Sequence, residues 1–240
     1  MKPGIYLILL LVLVFSGGRW PALAEAPKPD PSHWQRALET ARHNTCWVPS
    51  VLDISETVRD ENGRTVERSE TRIELVSVAG QVSDMVLVSR TENGQDKTGE
   101  YEGEFKAEKN ELMEQVRQGD LFVSPEVSHA ELTALSVRDT LAEYRFRLPV
   151  EDIVLDGLAR IDTEKGQVTS AVLTCGRMED DDVEIRNYKE EIHYRSEPGV
   201  WYPMTIVQTM DIKTKSLFFS FKGRVETRIS LSGHTCPPAR

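Results

Sequence analysis

The sequence has few of the residue patterns that carry out catalysis or bind transition metals. There is no G-x-S-x-G nucleophile elbow and no P-loop. The histidines are scattered, and none forms an H-x-x-x-H or H-E-x-x-H pair: His33, His43, His129, His193 and His234. We therefore predict no catalytic residue, no metal site and no cofactor, and we expect that the chain is not an enzyme.

Basic residues are outnumbered: 29 Lys and Arg stand against 39 Asp and Glu, so the formal net charge is −10. An acidic surface of this kind argues against nucleic acid as a partner and against tight binding to anionic membranes. The densest acidic run, residues 179–182, lacks the glycine and the spaced ligands of a calcium loop. We interpret this run as a solvated turn.

Long hydrophobic runs are absent after the first residues. Lys2 precedes the apolar segment 5–15, and Ala22-Leu23-Ala24 then supplies an A-x-A cleavage site. This pattern predicts a secretory signal peptide over residues 1–24, because the apolar segment is too short to span a membrane. The expected mature protein is periplasmic and not an integral membrane protein. It would consist of a Pro-rich leader, 25–31, and a single domain, 32–240.

Cysteine is scarce as well, with Cys46, Cys175 and Cys236. In an oxidising compartment, three cysteines predict one disulfide and one remaining thiol. Successive antiparallel strands place Cys175 and Cys236 at opposite ends of a sheet, roughly 35 Å apart. Cys46 is thus the expected partner of one or the other, and we favour Cys46–Cys236.

What the sequence does have is two very long alternating segments near its end. Inward positions from 217 to 231 are apolar or small, and the segment 200–212 repeats the pattern with Gln208 as its interruption. Such alternation is typical of a strand with one buried face and one solvated face. Because ordinary strands have about five or six residues, segments of this length predict a large curved sheet.

Turn-forming residues divide the remaining chain into shorter segments. Ser32 and Gln35 match a capping box, so we predict a helix from Ser32 to about Asn44. Asn-Gly pairs at 62–63 and 93–94 predict hairpins. Further strands are predicted over 47–59, 64–76, 82–90, 99–107, 140–148, 153–162, 168–175 and 184–195, and helices over 111–118 and from Ser124. The predicted fold class is mainly β: a large curved antiparallel sheet, or half-open barrel, with a few covering helices.

Two short motifs carry a family resemblance. Residues 157–168 resemble the G-x-x-x-I-D-x-x-x-G-x-x hairpin of proteins related to the outer-membrane lipoprotein-sorting (Lol-type) carriers. Residues 199–203 resemble the G-x-W-x-P strand start of those proteins. The resemblance implies a half-open antiparallel barrel whose concave apolar face is covered by helices. In the carriers, that cavity holds the acyl chains of a lipoprotein.

These observations lead to two functional hypotheses. The first is a periplasmic carrier or binding protein for a lipid or a lipidated protein, with a cavity wall formed by Tyr202, Met204, Ile206, Phe219 and Phe221. The second is a non-catalytic structural or interaction module of a cell-envelope complex, whose partner is an envelope protein. Trp201 and Phe218 fall on the outer phase of their segments, so we expect them to mark an exposed contact patch.

Overall fold

A computed structural model provides the structure of the protein. It describes residues 30–44, 46–78, 81–118, 121–150, 153–180, 183–197, 200–214 and 221–236. The predicted signal peptide lies outside these residues, as do most of the predicted leader and the acidic positions 181–182.

The fold is mainly β. Two α-helices are described, α1 (Ser32–His43) and α2 (Thr98–Gln118), together with a short 3₁₀ helix (Glu126–His129). The strands are β1 (Val51–Asp60), β2 (Thr65–Val78), β3 (Gln81–Glu92), β4 (Gln95–Asp96), β5 (Glu131–Arg138), β6 (Leu141–Val150), β7 (Ile153–Asp162), β8 (Gln167–Asp180), β9 (Val183–Glu197), β10 (Val200–Thr214) and β11 (Lys222–Ser232).

All eleven strands belong to one antiparallel sheet that does not close, in the order β4-β3-β2-β1-β11-β10-β9-β8-β7-β6-β5. The chain builds the first four strands outward from β1, crosses through α2 to the opposite edge, and returns strand by strand to β11. There β11 pairs with β1. The predicted fold class, a curved half-open sheet with few helices, is confirmed.

The local signals at turns and at α1 explain much of this layout. Asn93 and Gly94 both have positive φ, 50° and 79°, as a two-residue hairpin turn requires. In α1, the predicted stripe of Trp34, Ala37, Leu38 and Ala41 is buried. The predicted capping box is wrong, however: no side chain caps α1, and the Asp30 carboxylate accepts the Ser32 N–H instead, at 2.9 Å.

The region after β4 corrects two predictions. Residues 99–107 form no strand, because one helix, α2, runs through both this segment and the predicted helix 111–118. Its buried side chains Tyr101, Phe105 and Leu112 recur at helical spacing. The helix predicted from Ser124 is a single 3₁₀ turn, after which Leu132 and Leu135 lie in β5.

The apolar core lies on the concave face of the sheet in three clusters. The α1 cluster packs that helix against β5 to β10, and the α2 cluster packs the second helix against β1, β2, β3 and β11. A third group, here called the strand cluster, consists of strand residues: Cys175, Met178, Ile185, Tyr188 and Met210, with Ile153, Leu155, Val183, Ile212 and Val225 packed against them.

The predicted disulfide is confirmed. Cys46 and Cys236 are bonded, with their Cα atoms 4.9 Å apart, and Cys175 is a buried free thiol. The bond joins the segment before β1 to the segment after β11, next to a bridge between Val48 and Thr235. It therefore reinforces the pairing of two strands that are distant in sequence.

Replacing Cys46 by Ser should lower the free energy of unfolding by about 2–5 kcal/mol, because a cross-link spanning 190 residues is lost. Urea denaturation with and without dithiothreitol measures this. Cys175→Ala is the matched control: it keeps the cross-link, so dithiothreitol should destabilise it as much as it destabilises the native chain. If the reductant destabilised Cys46→Ser as much as the native chain, the assignment would be contradicted.

Gly157 of the hairpin motif has no room for a side chain. A Cβ there would lie 2.2 Å from the ring of its cross-strand partner Phe146, which is itself buried against Trp34. Gly157→Ala should therefore destabilise the fold by about 1–3 kcal/mol in thermal or urea unfolding. Gly176→Ala is the control, since a Cβ at that position meets nothing within 4 Å. Equal stability of the two variants would refute this packing argument.

Candidate functional site

The indole of Trp201 lies in the core and not on an outer patch. It is 3% exposed, stacks on Tyr194 at 4.8 Å, and donates its N–H to the Val168 carbonyl at 2.7 Å. The prediction was wrong because β10 contains a bulge. The register with β9 shifts between Pro203 and Thr205, which reverses the alternation.

The same bulge moves two predicted wall residues off the concave face. Tyr202 pairs with the exposed Arg195, and its ring stacks on His234 at 3.7 Å on the opposite side from Trp201. Met204 is the extra residue of the bulge and is 39% exposed. The prediction that Tyr202 and Met204 face the concave side is therefore wrong.

The other three predicted wall residues, Ile206, Phe219 and Phe221, differ in where they lie and in whether the structure describes them. Ile206 lies on the concave face, where it packs against both the α1 and the α2 clusters. Phe221, the residue before β11, is half-buried, with its ring over Gly223. Phe219, and Phe218 of the predicted outer patch, lie outside the described residues.

A line of polar side chains crosses the middle of the concave face. Direct cross-strand pairing aligns one residue from each of five adjacent strands, β2, β1, β11, β10 and β9. We call these residues the polar row: Ser69, Glu56, Thr227, Gln208 and Glu190. Every member is buried, although polar side chains of this kind are usually exposed.

Hydrogen bonds connect one half of the polar row. The Glu190 carboxylate accepts a hydrogen bond from the Tyr188 hydroxyl at 2.7 Å and another from the Gln208 amide at 2.8 Å, both on the same oxygen. Farther along, the Thr227 hydroxyl is 3.5 Å from the Glu56 carboxylate. The side-chain carbonyl oxygen of Gln208 is buried and has no partner.

Arg90 of β3 lies near the other end. Its guanidinium donates to the Thr71 hydroxyl at 3.0 Å, approaches Glu92 at 3.2 Å, and lies 4.2 Å from the centre of the Tyr101 ring in α2. Glu67 is close to this group, and one of its carboxylate oxygens is buried without a partner. The helix α2 thus contacts the polar region through a cation–π interaction.

Burial alters the protonation of these acids. Desolvation, reinforced by repulsion from Glu67, raises the pKa of Glu56 to about 7. Desolvation also raises the pKa of Glu190, against the opposing hydrogen bonds from Gln208 and Tyr188. The neighbouring Tyr188 hydroxyl has a pKa well above its ordinary value, because it is buried and faces Glu190. The polar row therefore holds weak acids and hydrogen-bonded neutral groups.

The polar row divides the apolar surface into two parts. Along β10, Ile206 lies on one side of Gln208 and Met210 on the other; along β9, Ile192 and Tyr188 flank the row in the same way. The helix-covered clusters are on one side, and the strand cluster is on the other. Such an apolar–polar–apolar arrangement can bind an amphiphile, with the polar group fixed at the row.

The outer face of the sheet has a different chemistry. A groove of about 350 Å³ lies over β1, β2 and β3, and an ion pair between Arg72 and Asp53 at 3.1 Å crosses it. The groove is lined mainly by polar side chains: Asp53, Ser55, Glu70, Arg72, Ser89, Thr91 and Ser230. This groove does not match an acyl chain.

Two further findings concern the described residues alone. They contain no group of three or more His, Cys, Asp or Glu side chains arranged to hold a metal ion. Nor does any helix among them combine the length and the apolar character needed to cross a membrane.

The polar row was missed at the sequence level, where Gln208 counted only as an interruption. A weak signal was present in β1, since Glu56 continues the inward phase of Leu52 and Ile54. The row becomes visible only when the registers of five strands are known, and no single strand shows it.

The raised pKa of Glu56 predicts a pH dependence of stability. Because the folded protein binds this proton more tightly than the unfolded chain does, the contribution of Glu56 is favourable below pH 4.5 and is lost as the pH rises through about 7. Between pH 4.5 and pH 8, the free energy of unfolding should fall by up to about 3 kcal/mol less in Glu56→Gln than in the native chain. The exposed Glu226→Gln is the control. Parallel curves for Glu56→Gln and the native chain would disprove the shift.

Comparison with known proteins adds little. No protein-family model matches the chain, and no curated protein matches it. Among solved structures, the chain is similar to a crystal structure of a DUF1329 family protein from Desulfovibrio piger ATCC 29098. The two are 9% identical, the match covers 89% of this chain and 95% of that chain, and the TM-score is 0.35. A similarity this low supports no conclusion about function.

Proposed function

We propose that this protein is a non-catalytic, exported carrier or binding protein of the periplasm, which takes up a lipid or the acyl chains of a lipidated protein. The observation that carries the proposal is the strand cluster, an apolar group on the concave face of the half-open sheet to which neither described helix contributes a residue. The binding surface would include Ile206 and Phe221 from the predicted wall, together with the strand cluster.

The positions of the helices support this proposal. Helix α2 packs chiefly on β3, near one edge of the sheet, whereas α1 packs on β7 and β8, toward the other edge. The strands between them, β1, β11, β10 and β9, contribute Ile229, Ile206, Met210 and Ile185 to the concave face. Met210 and Ile185 belong to the strand cluster, to which neither described helix contributes a residue. Both side chains are 2% exposed, so an alkyl chain would contact them by displacing the groups that now bury them.

The attachment of α2 also fits a cover that can be displaced. Only three of its described side chains are buried against the sheet, Tyr101, Phe105 and Leu112, and Gly99 and Gly103 weaken its first turns. In contrast, α1 is held by its whole apolar stripe and by Arg36, which donates to the carbonyls of Thr163 and Glu164. Local opening is therefore expected at α2 before α1.

The proposal predicts that purified protein binds an apolar fluorophore such as N-phenyl-1-naphthylamine. Met210→Gln, in the strand cluster, should weaken this binding about fivefold or more, because a polar group would then line the site. Met204→Gln is the matched control, since Met204 is exposed in the bulge. Fluorescence titration gives the affinities. Native mass spectrometry should show copurified lipid, and consistently ligand-free protein that binds no fluorophore would refute the proposal.

A second candidate function is an interaction module of an envelope complex. It is favoured by exposed valines on the hairpin of β2 and β3: Val76, Val78, Val86 and Val88. Of the two residues predicted to form an outer contact patch, Trp201 is buried and Phe218 lies outside the described residues. Replacing Val76 and Val86 by Ser would abolish capture of an envelope protein if this surface binds it, and would leave lipid binding unchanged.

A further inference from the structure

The buried carbonyl oxygen of Gln208 lacks the hydrogen-bond donor that such an atom ordinarily has. The side chain is 1% exposed, and its amide nitrogen is already committed to Glu190. The direction of that hydrogen bond leaves the carbonyl oxygen as an unused acceptor within the polar row. Because burying an unpaired acceptor is costly, this oxygen is available to accept a hydrogen bond from a ligand.

Neighbouring groups supply more acceptors but few donors. A carboxylate oxygen of Glu67 is also buried and unpaired, and Glu56 has only a long contact with the Thr227 hydroxyl. At Glu190, one oxygen accepts both hydrogen bonds of the network. The polar row therefore has acceptor capacity that the described side chains do not fill.

The charges in this region favour the same kind of partner. Three carboxyl groups, those of Glu56, Glu67 and Glu92, lie near the guanidinium of Arg90. That guanidinium is already engaged by Thr71, Glu92 and the Tyr101 ring. Glu190 instead accepts hydrogen bonds from the neutral groups of Gln208 and Tyr188. An ammonium group could donate several hydrogen bonds to these oxygens and would favour the ionised form of the neighbouring carboxyl groups, whereas a phosphate or carboxylate would bring further acceptors and a charge of the same sign as those carboxylates.

We infer that the polar row recognises the primary amine of an amphiphile whose alkyl chain lies on the adjacent strand cluster. The ammonium donates one N–H to the carbonyl oxygen of Gln208 and others to the carboxyl groups beside it, while the chain contacts Met210 and Val225. This inference rests on the proposed function, because it needs an apolar chain on the concave face.

Four ligands with the same twelve-carbon chain test the head group: dodecylamine, dodecyltrimethylammonium, dodecanoate and dodecanol. Each displaces N-phenyl-1-naphthylamine from the full chain at pH 7, below its micelle concentration. Dodecylamine should bind about tenfold tighter than dodecanol, as a charge-assisted hydrogen bond implies. The trimethylammonium compound separates the effect of the positive charge from that of hydrogen bonding, since it carries the charge without an N–H. It should bind at least fivefold more weakly than the amine.

Substitution of Gln208 identifies the acceptor. Gln208→Leu should reduce the preference for dodecylamine over dodecanol from about tenfold to twofold or less, with dodecanol affinity unchanged. Gln208→Met, which keeps the volume of the side chain, serves as the second variant if the first fails to fold. Gln81→Leu, at the exposed start of β3, is the control and should retain the full preference.

The outcomes separate this inference from the proposed function. If dodecanol binds but the amine has no advantage, or if Gln208→Met keeps the preference, the amine site is disproved and the apolar binding function stands. If none of the four ligands binds, dodecanol included, the proposed function fails and the inference fails with it.

Discussion

The pairing of β1 with β11 is the constraint on which the rest of the structure depends. Ten consecutive residues of β1, from Val51 to Asp60, pair with Ser232 to Gly223. This contact joins the sheet of β2, β3 and β4 to the sheet of β5 to β10, which are otherwise separate units along the chain. The disulfide and the Val48–Thr235 bridge lie at the end of the same pair. The polar row exists because this register places Glu56 opposite Thr227.

The sequence predicts those features that depend on neighbouring residues. The stripe of α1 and the Asn93-Gly94 turn are local patterns. Counting strand directions excluded a bond between Cys175 and Cys236 and left two pairings of Cys46, of which the favoured one, Cys46–Cys236, is present. Features that depend on a partner strand were missed. The bulge after Pro203 reverses the face of Trp201 and Tyr202, and nothing in β10 alone reports it. The extended pattern assigned to 99–107 failed because burial against β3 selects a helix there.

The concave face contains both a stabilising apolar core and buried carboxyl groups that lower stability. Apolar residues on β6 to β9, such as Phe146 and Ile161, are buried under α1 and supply a well-packed core. Glu56 and Glu190 lie in the same sheet, at positions where apolar side chains of similar size would cost less free energy. Proteins often break rules of local consistency at functional sites, and here five of the nine buried polar or charged side chains of the described residues lie on one cross-strand line.

The position of β1 and β11 at opposite ends of the chain has a consequence for folding. Until the last strand is available, β1 is an edge strand with unpaired backbone groups, which can pair with the wrong partner. Some 160 residues separate the two strands. At ordinary synthesis rates of roughly 5–20 residues per second, β11 is therefore synthesised about 10–30 s after β1. Contacts of this sequence separation also form slowly. Aggregation and chaperone dependence should therefore be governed by the lifetime of the open sheet, before the final strand arrives.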